Sequence, residues 1–363
     1  MPTLTSNELR QSPEIFLSES KRPGTWQRTS GSTGVPIRVF HDFGAHQLAL
    51  QAKYRFHQVW GLNLFDRMAW LWSSDVVRNP GWSQCWAGYQ QAWCDYMRQR
   101  IRLPASNLSR PDLRDHLRRI SAFRPRGLYC FSRAGHLLAR EAIDRGFRCD
   151  SLKVCIISGE SASEQMIDEI GRAFRVPVVM EYGCVEFGYV AGEWPDGTLR
   201  VREDVVLVET VARADGRYDI VLSTLHDTSF PLLRYKIGDV ADAPLSEPTT
   251  GFAVLPKVSG RDDDQVIARD NRVIGSTSID ALFEGEYFEA VRRYRVHQDA
   301  SGELWVEVEP SNPSRLPNEF TIRSRLEQVL GGFTVHVKFA DSVNQTEAGK
   351  HRVVTSDLYA QRS

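Results

Sequence analysis

Gly127-Leu128-Tyr129-Cys130-Phe131 is the first of three short apolar runs, followed by Leu152–Ile157 and Pro177–Tyr182, with the amphipathic stretches Arg133–Arg145 and Ser161–Phe174 between them. Each run is too short for a helix and rich in strand-forming residues, while each intervening stretch has helical length and periodicity. Strands alternating with helices in this way predict a parallel sheet, because a parallel pair needs a crossover of about a dozen residues. On such sheets ligands gather beyond the carboxyl ends of the strands. That rule singles out Ser158-Gly159-Glu160 and Glu181-Tyr182-Gly183-Cys184-Val185-Glu186, where two of the runs end.

Upstream, Thr29-Ser30-Gly31-Ser32-Thr33-Gly34-Val35-Pro36 mixes small hydroxyls with glycines. Glycine lets successive N–H groups turn toward one anion, and the hydroxyls add donors, so the stretch reads as a phosphate loop. It is no Walker loop, since Ile37 and Arg38 stand where a Lys-Ser/Thr ending would be required. A capping box at Thr5 and Glu8 opens a short helix before it. After it come a strand at Pro36–Phe40, a helix at Gly44–Val59 and a strand at Met68–Trp72. Trp82, Trp86, Tyr89, Trp93 and Tyr96 then recur at helical spacing, either as core or as one wall of a pocket for an aromatic ligand. Ser109 with Asp112 caps a helix through Phe123.

Downstream of Trp194 the character turns to β, with strands expected over Thr198–Ala212, Arg217–Thr224 and Pro231–Tyr235, and a hairpin signal at Asp215-Gly216. Beyond Gly260-Arg261-Asp262-Asp263-Asp264 a smaller α+β segment follows: strands near Ala290–Val296, Leu304–Glu309 and Phe333–Phe339, and a helix near Phe320–Leu330. The fold class is therefore α/β. A large N-terminal domain, residues 1–260, is expected to join a parallel α/β sheet to a β-rich subdomain, and a small α+β domain, residues 261–363, to carry Lys350 in the loop Thr346–Arg352.

The 363 residues, 42% hydrophobic and 25% charged, are those of an ordinary soluble protein with ample core. A net charge of −1 gives no whole-chain footprint for nucleic acid or an anionic membrane, so neither is expected as a partner. No apolar run has the length of a signal peptide core or a membrane span, which predicts a cytoplasmic protein. The six cysteines form no C-x-x-C pair, so neither a disulfide framework nor a zinc cage is expected.

Five signals stand in one order: Thr29–Pro36, Tyr182-Gly183-x-x-Glu186, Arg234-Tyr235-x-x-Gly238-Asp239, Gly260-Arg261-x-Asp263-Asp264 and Gly349-Lys350. Together they resemble the AMP-forming adenylating superfamily, and in particular its phenylacetate-CoA ligase-like branch, which includes capsule-synthesis proteins. The resemblance spans residues 2–355. It implies an ATP-dependent ligase in which Thr29, Ser30, Gly31, Ser32, Thr33 and Gly34 hold the β- and γ-phosphates. Glu186 would be catalytic through Mg²⁺, as its metal ligand. Tyr182 and Gly183 would face adenine, Asp239 would accept from both ribose hydroxyls, Gly159 and Glu160 would border the adenine and acyl pocket, and Arg261 would reach the ribose and phosphates. Lys350 would be the catalytic lysine at the α-phosphate, withdrawn when the small domain rotates about Asp262 or Asp263.

The implied partners are a carboxylic acid, aromatic on the strength of Trp70–Tyr96, and coenzyme A as acyl acceptor. An amine or a carrier-protein thiol are the alternative acceptors, and a homodimer is compatible with the resemblance. A nucleotide-binding assembly protein without catalysis is the alternative of another class. It is motivated by two departures: valine at 185, where the family usually has a hydroxyl residue, and a shorter segment before the phosphate loop. A dinucleotide oxidoreductase lacks its G-x-G-x-x-G.

Overall fold

Thr5 accepts from the Glu8 N–H while the Glu8 carboxylate accepts from the Thr5 N–H, opening helix α1 (Ser6–Gln11) with the reciprocal pair expected from the sequence. β1 (Gly24–Arg28) and β2 (Arg38–Asp42) form an antiparallel hairpin, and the buried Asp42 caps α2 (Phe43–Val59). There follow β3 (Met68–Trp72), β4 (Arg100–Pro104), α3 (Arg110–Phe123), β5 (Gly127–Phe131), α4 (Ser132–Asp144), β6 (Val154–Ser158), α5 (Glu164–Phe174) and β7 (Val178–Cys184). The computed structural model describes residues 1–29, 37–72, 93–105, 108–246, 251–261, 264–268, 273–276, 279, 283, 290–312, 316–330, 333–343 and 353–360.

The parallel strands run in the order β4-β3-β5-β6-β7, and β8 (Gly188–Glu193), β9 (Leu199–Val201) and β13 (Val254–Leu255) extend them antiparallel to an eight-stranded sheet. Both faces of its parallel part are covered, which is why those strands read as continuous apolar runs. Leu117 and Ile120 of α3, Leu138 of α4 and Ile170 of α5 pack on one face against Leu71, Leu128, Cys130 and Ile157. Ala52 and Phe56 of α2 cover Tyr129, Ile156 and Val179 on the other. Each such side chain contributes about 1.5–3 kcal/mol by leaving water.

β10 (Val206–Ala212), β11 (Tyr218–Thr224), β12 (Tyr235–Ala241) and β14 (Val258–Arg261) make a second, antiparallel sheet. A separate core surrounds β15 (Gln265–Ile267), β16 (Val273–Gly275), β17 (Val291–Gln298), β18 (Leu304–Pro310), α6 (Glu319–Leu330), β19 (Val335–Phe339), β20 (Val354–Ser356) and α7 (Asp357–Ala360). Its four-stranded sheet has the order β19-β18-β17-β20.

Two expected strands are corrected. Thr198–Ala212 is broken, because the chain turns at Arg202–Val205, where Arg202 pairs with Asp204 at 2.7 Å, and its two halves join different sheets. Pro231–Tyr235 is not a strand: Arg234 sits at φ +50, and the strand starts at Tyr235. Of the aromatic row, Trp82, Trp86 and Tyr89 lie outside the described residues, and Trp93 and Tyr96 are exposed. Among the described residues no helix is long and apolar enough to cross a membrane.

Candidate active site

β6 and β7 end side by side, with Ser158 in register with Glu181. Beyond Ser158 the chain turns at Gly159, whose φ of +79 suits only glycine and whose missing Cβ would stand 3.1 Å from the rings of Phe131 and Trp72. Those two rings stack at 3.7 Å. Glu160 lies at the N-terminus of α4: the Arg133 N–H donates to its Oε2 at 3.2 Å, and the Ser132 hydroxyl donates to its carbonyl at 3.1 Å. An unpaired helix N–H and the positive end of the helix dipole both favour a carboxylate there.

The other strand end faces β12 and β14. The Tyr182 hydroxyl donates to Asp239 Oδ2 at 2.6 Å, and Asp239 Oδ1 lies 3.6 Å from Arg261 Nε. Asp239 and Arg261 are register partners, and the Arg261 guanidinium also donates to the Ile237 carbonyl at 3.2 Å. Gly238, at φ +86, allows the irregularity that displaces the β11–β12 register just before Asp239. Burial, then the Asp239 charge, pushes the Tyr182 phenol well above its ordinary pKa, so it remains a donor. The buried Tyr235 donates to Glu186 Oε1 at 3.2 Å, and burial followed by the Glu186 charge raises its phenol likewise. Tyr182 thus meets Asp239 and Arg261 at the end of β7, and Tyr235 of the neighbouring sheet meets Glu186 just beyond it.

Thr29 closes the β1–β2 ladder: its N–H donates to the Ile37 carbonyl at 3.0 Å and its hydroxyl accepts from the Ile37 N–H at 2.9 Å. Ser30, Gly31, Ser32, Thr33 and Gly34, together with Lys350, Asp262 and Asp263, lie outside the described residues. Val185 is half-buried, and its carbonyl is 2.8 Å from His41 Nε2. Among the described residues no group of three or more His, Cys, Asp or Glu could hold a metal. Mg²⁺ in nucleotide enzymes takes one or two carboxylates and completes its shell with phosphate oxygens and water, a requirement that Glu186 fits alone.

Sequence reasoning missed two groups. Tyr235, inside a quoted motif, holds Glu186, and its spacing four residues before Asp239 was the only signal. Behind Tyr182, the buried Glu181 carboxylate accepts from Lys53 Nζ at 2.8 Å and from the Tyr129 hydroxyl at 2.7 Å, with His57 Nε2 3.5 Å away. Nothing local announces that cluster.

No family model matches the chain. A solved structure of 2-hydroxyisobutyryl-CoA ligase in the postadenylation state, in complex with 2-HIB-AMP, aligns with a TM-score of 0.73 at 18% identity, covering 100% of this chain and 81% of the ligase. The chain has the adenylate-forming ligase fold. Anthranilate CoA ligase AuaEII in complex with anthranoyl-AMP shares that fold with a TM-score of 0.63 at 17% identity, over 90% of this chain and 65% of its own. In sequence, the chain is 20% identical to protein CapK of Staphylococcus aureus over 99% of its length and 80% of CapK.

Proposed function

We propose that this protein is a cytoplasmic, ATP-dependent, AMP-forming carboxylic acid ligase that adenylates an aromatic acid and passes the acyl group to coenzyme A. The observation that carries the reading is the contact of Tyr182 and Arg261 with the two oxygens of Asp239. A carboxylate accepts through both of its oxygens, so Asp239, with the Tyr182 phenol and the Arg261 guanidinium beside it, is chemically suited to receive the two hydroxyls of a ribose cis-diol. Tyr182 offers its ring to adenine, and Arg261 brings positive charge toward the ribose and phosphates. The substrate carboxylate attacks the α-phosphorus, the bond to the pyrophosphate oxygen breaks, and an acyl-adenylate forms. A thiolate then displaces AMP from the acyl carbon.

Charge developing on the phosphates must be neutralised by groups already in position. Lys350 supplies one such charge at the α-phosphate, and residues 29–34 supply N–H and hydroxyl donors to the β- and γ-phosphates. Glu186, oriented by Tyr235, would hold Mg²⁺, which when bound would offset charge on the phosphate oxygens. The aromatic acid is motivated by the density of tryptophan and tyrosine over Trp70–Tyr96. The test is ATP–pyrophosphate exchange over aromatic and aliphatic acids, then turnover with coenzyme A, amines or a carrier thiol. Exchange that prefers aromatic acids, with thioester formed from coenzyme A, is expected. No exchange with any acid overturns the reading.

A further inference from the structure

In a parallel sheet, the segment just before every strand lies at the same edge, here opposite the Gly159 and Tyr182 end. In this chain those segments share an unusual chemistry. Arg67 precedes β3, Arg98 precedes β4, and Arg124 and Arg126 precede β5. Arg145, Arg148 and Lys153 precede β6, and Arg175 precedes β7. Against these eight cations the same five segments hold three carboxylates, Asp66, Asp95 and Asp150; Asp66 is engaged by Arg126 at 3.4 Å and Asp95 by Arg100 and Arg102 of β4, while Arg145 is paired at 2.6 Å with Glu141 of α4. All the cations but Arg126 are exposed. Large apolar side chains stand among them: Phe65 is 74% exposed, Tyr96 68%, Met97 56% and Leu64 50%.

We propose that this amino edge docks the protein on an anionic lipid bilayer, with the arginines at the phosphate level and Phe65, Leu64, Tyr96 and Met97 reaching into the headgroup boundary. Five strands spaced by about 4.8 Å set the segments in a row about 20 Å long, a shape suited to a flat partner. Cations beside exposed aromatic and aliphatic side chains are the two components of interfacial binding. A second copy is disfavoured as occupant, since its own cations would face these. Docking by this edge leaves the cleft at the opposite edge open, so it is compatible with the adenylation proposed above without depending on it.

The test is co-sedimentation of the full chain with phosphatidylcholine vesicles, with and without phosphatidylglycerol, at about 0.1 M and about 0.5 M salt, where screening lengths differ roughly twofold. Binding to the anionic vesicles alone, weakened by salt, is expected. Each cation near such a surface is worth about fivefold in partitioning, so the pair Arg98→Glu with Arg148→Glu lowers binding more than about tenfold. The pair Arg98→Lys with Arg148→Lys keeps it, and Phe65→Ser weakens it with the salt dependence unchanged. Circular dichroism reports whether the variants fold. Equal binding to neutral vesicles, no binding to either, or wild-type binding by the folded Glu pair overturns the proposal. Retention on immobilised polyglutamate without vesicle binding also overturns it, because it assigns the edge to an acidic protein.

Discussion

Tyr182 serves the proposed site twice, through its ring and through the hydroxyl that orients Asp239. Hydrogen bonds to a charged partner are worth about 1.5–3 kcal/mol, so Tyr182→Phe is expected to raise KM for ATP at least about tenfold with a smaller change in kcat, as read by steady-state exchange. Behind it, burial pushes the Glu181 carboxyl up, but the Lys53 ammonium and His57 outweigh burial and hold it at about 2. A pKa lowered in the folded state stabilises above the ordinary 4.5 and is lost as pH falls from there toward 2. Lys53→Met removes the main cation, so Glu181 titrates at higher pH. Urea unfolding should show a loss of about 3–5 kcal/mol near neutrality that narrows as pH falls from 4.5 toward 2, because the wild type loses there a stabilisation that the variant already lacks. Unchanged curves would show that the pair carries no stability. Glu186, Asp239 and Arg261 could be singled out from the sequence because they stand in the ordered motifs that carry the resemblance. Glu181 was not, because its cation is 128 residues away.

At the level of elements, the alternation from Gly127 to Tyr182 was legible because strands buried on both faces must be apolar throughout, and helices between them must be amphipathic. β4 and β8 escaped notice: Arg100-Ile101-Arg102-Leu103-Pro104 carries cations at an edge, and Gly188–Glu193 is a short run containing two glycines, Gly188 and Gly192. The end of β7 depends on a close approach that only glycine permits. A Cβ on Gly183 would come within 2.3 Å of the Gly188 carbonyl, a backbone atom that cannot swing aside. Gly183→Ala must therefore part β7 from β8, which carry Tyr182 and flank Glu186. Overpacking of this kind costs about 1–3 kcal/mol, and thermal unfolding should show it together with weakened ATP binding. Gly197→Ala, in a turn with open space around the Cβ position, is the comparison: its φ of +78 brings backbone strain without a clash, so ATP affinity should hold. The strand expected at Pro231–Tyr235 failed for a similar local reason. Tyr235 is reached instead by the N-terminal segment, where Leu4 bonds to Arg234 and Lys236 on either side of it.

Over the whole molecule, averages conceal what the fold segregates. A net charge of −1 argued against any anionic surface, yet the topology collects cations from five separate segments along one edge, which no linear reading of composition can see. The proposed site is similarly dispersed: Tyr182, Glu186, Asp239 and Arg261 lie on or beside β7, β12 and β14, whereas Lys350 falls in the sequence between β19 and β20, strands that belong to a separate core. If adenylation needs both, removing the lysine should separate the half-reactions. Lys350→Ala is expected to slow acyl-adenylate formation by about 10²–10³, the effect of deleting one charge-stabilising donor, while ATP affinity is mostly retained. Thioester formation from acyl-adenylate supplied ready-made should proceed at close to the wild-type rate, because the role proposed for Lys350 is at the α-phosphate during adenylation and that step attacks the acyl carbon instead. Rapid-quench measurement of the two steps decides the matter: equal slowing of both would mean that Lys350 supports the fold, and exchange at the wild-type rate would remove it from the site.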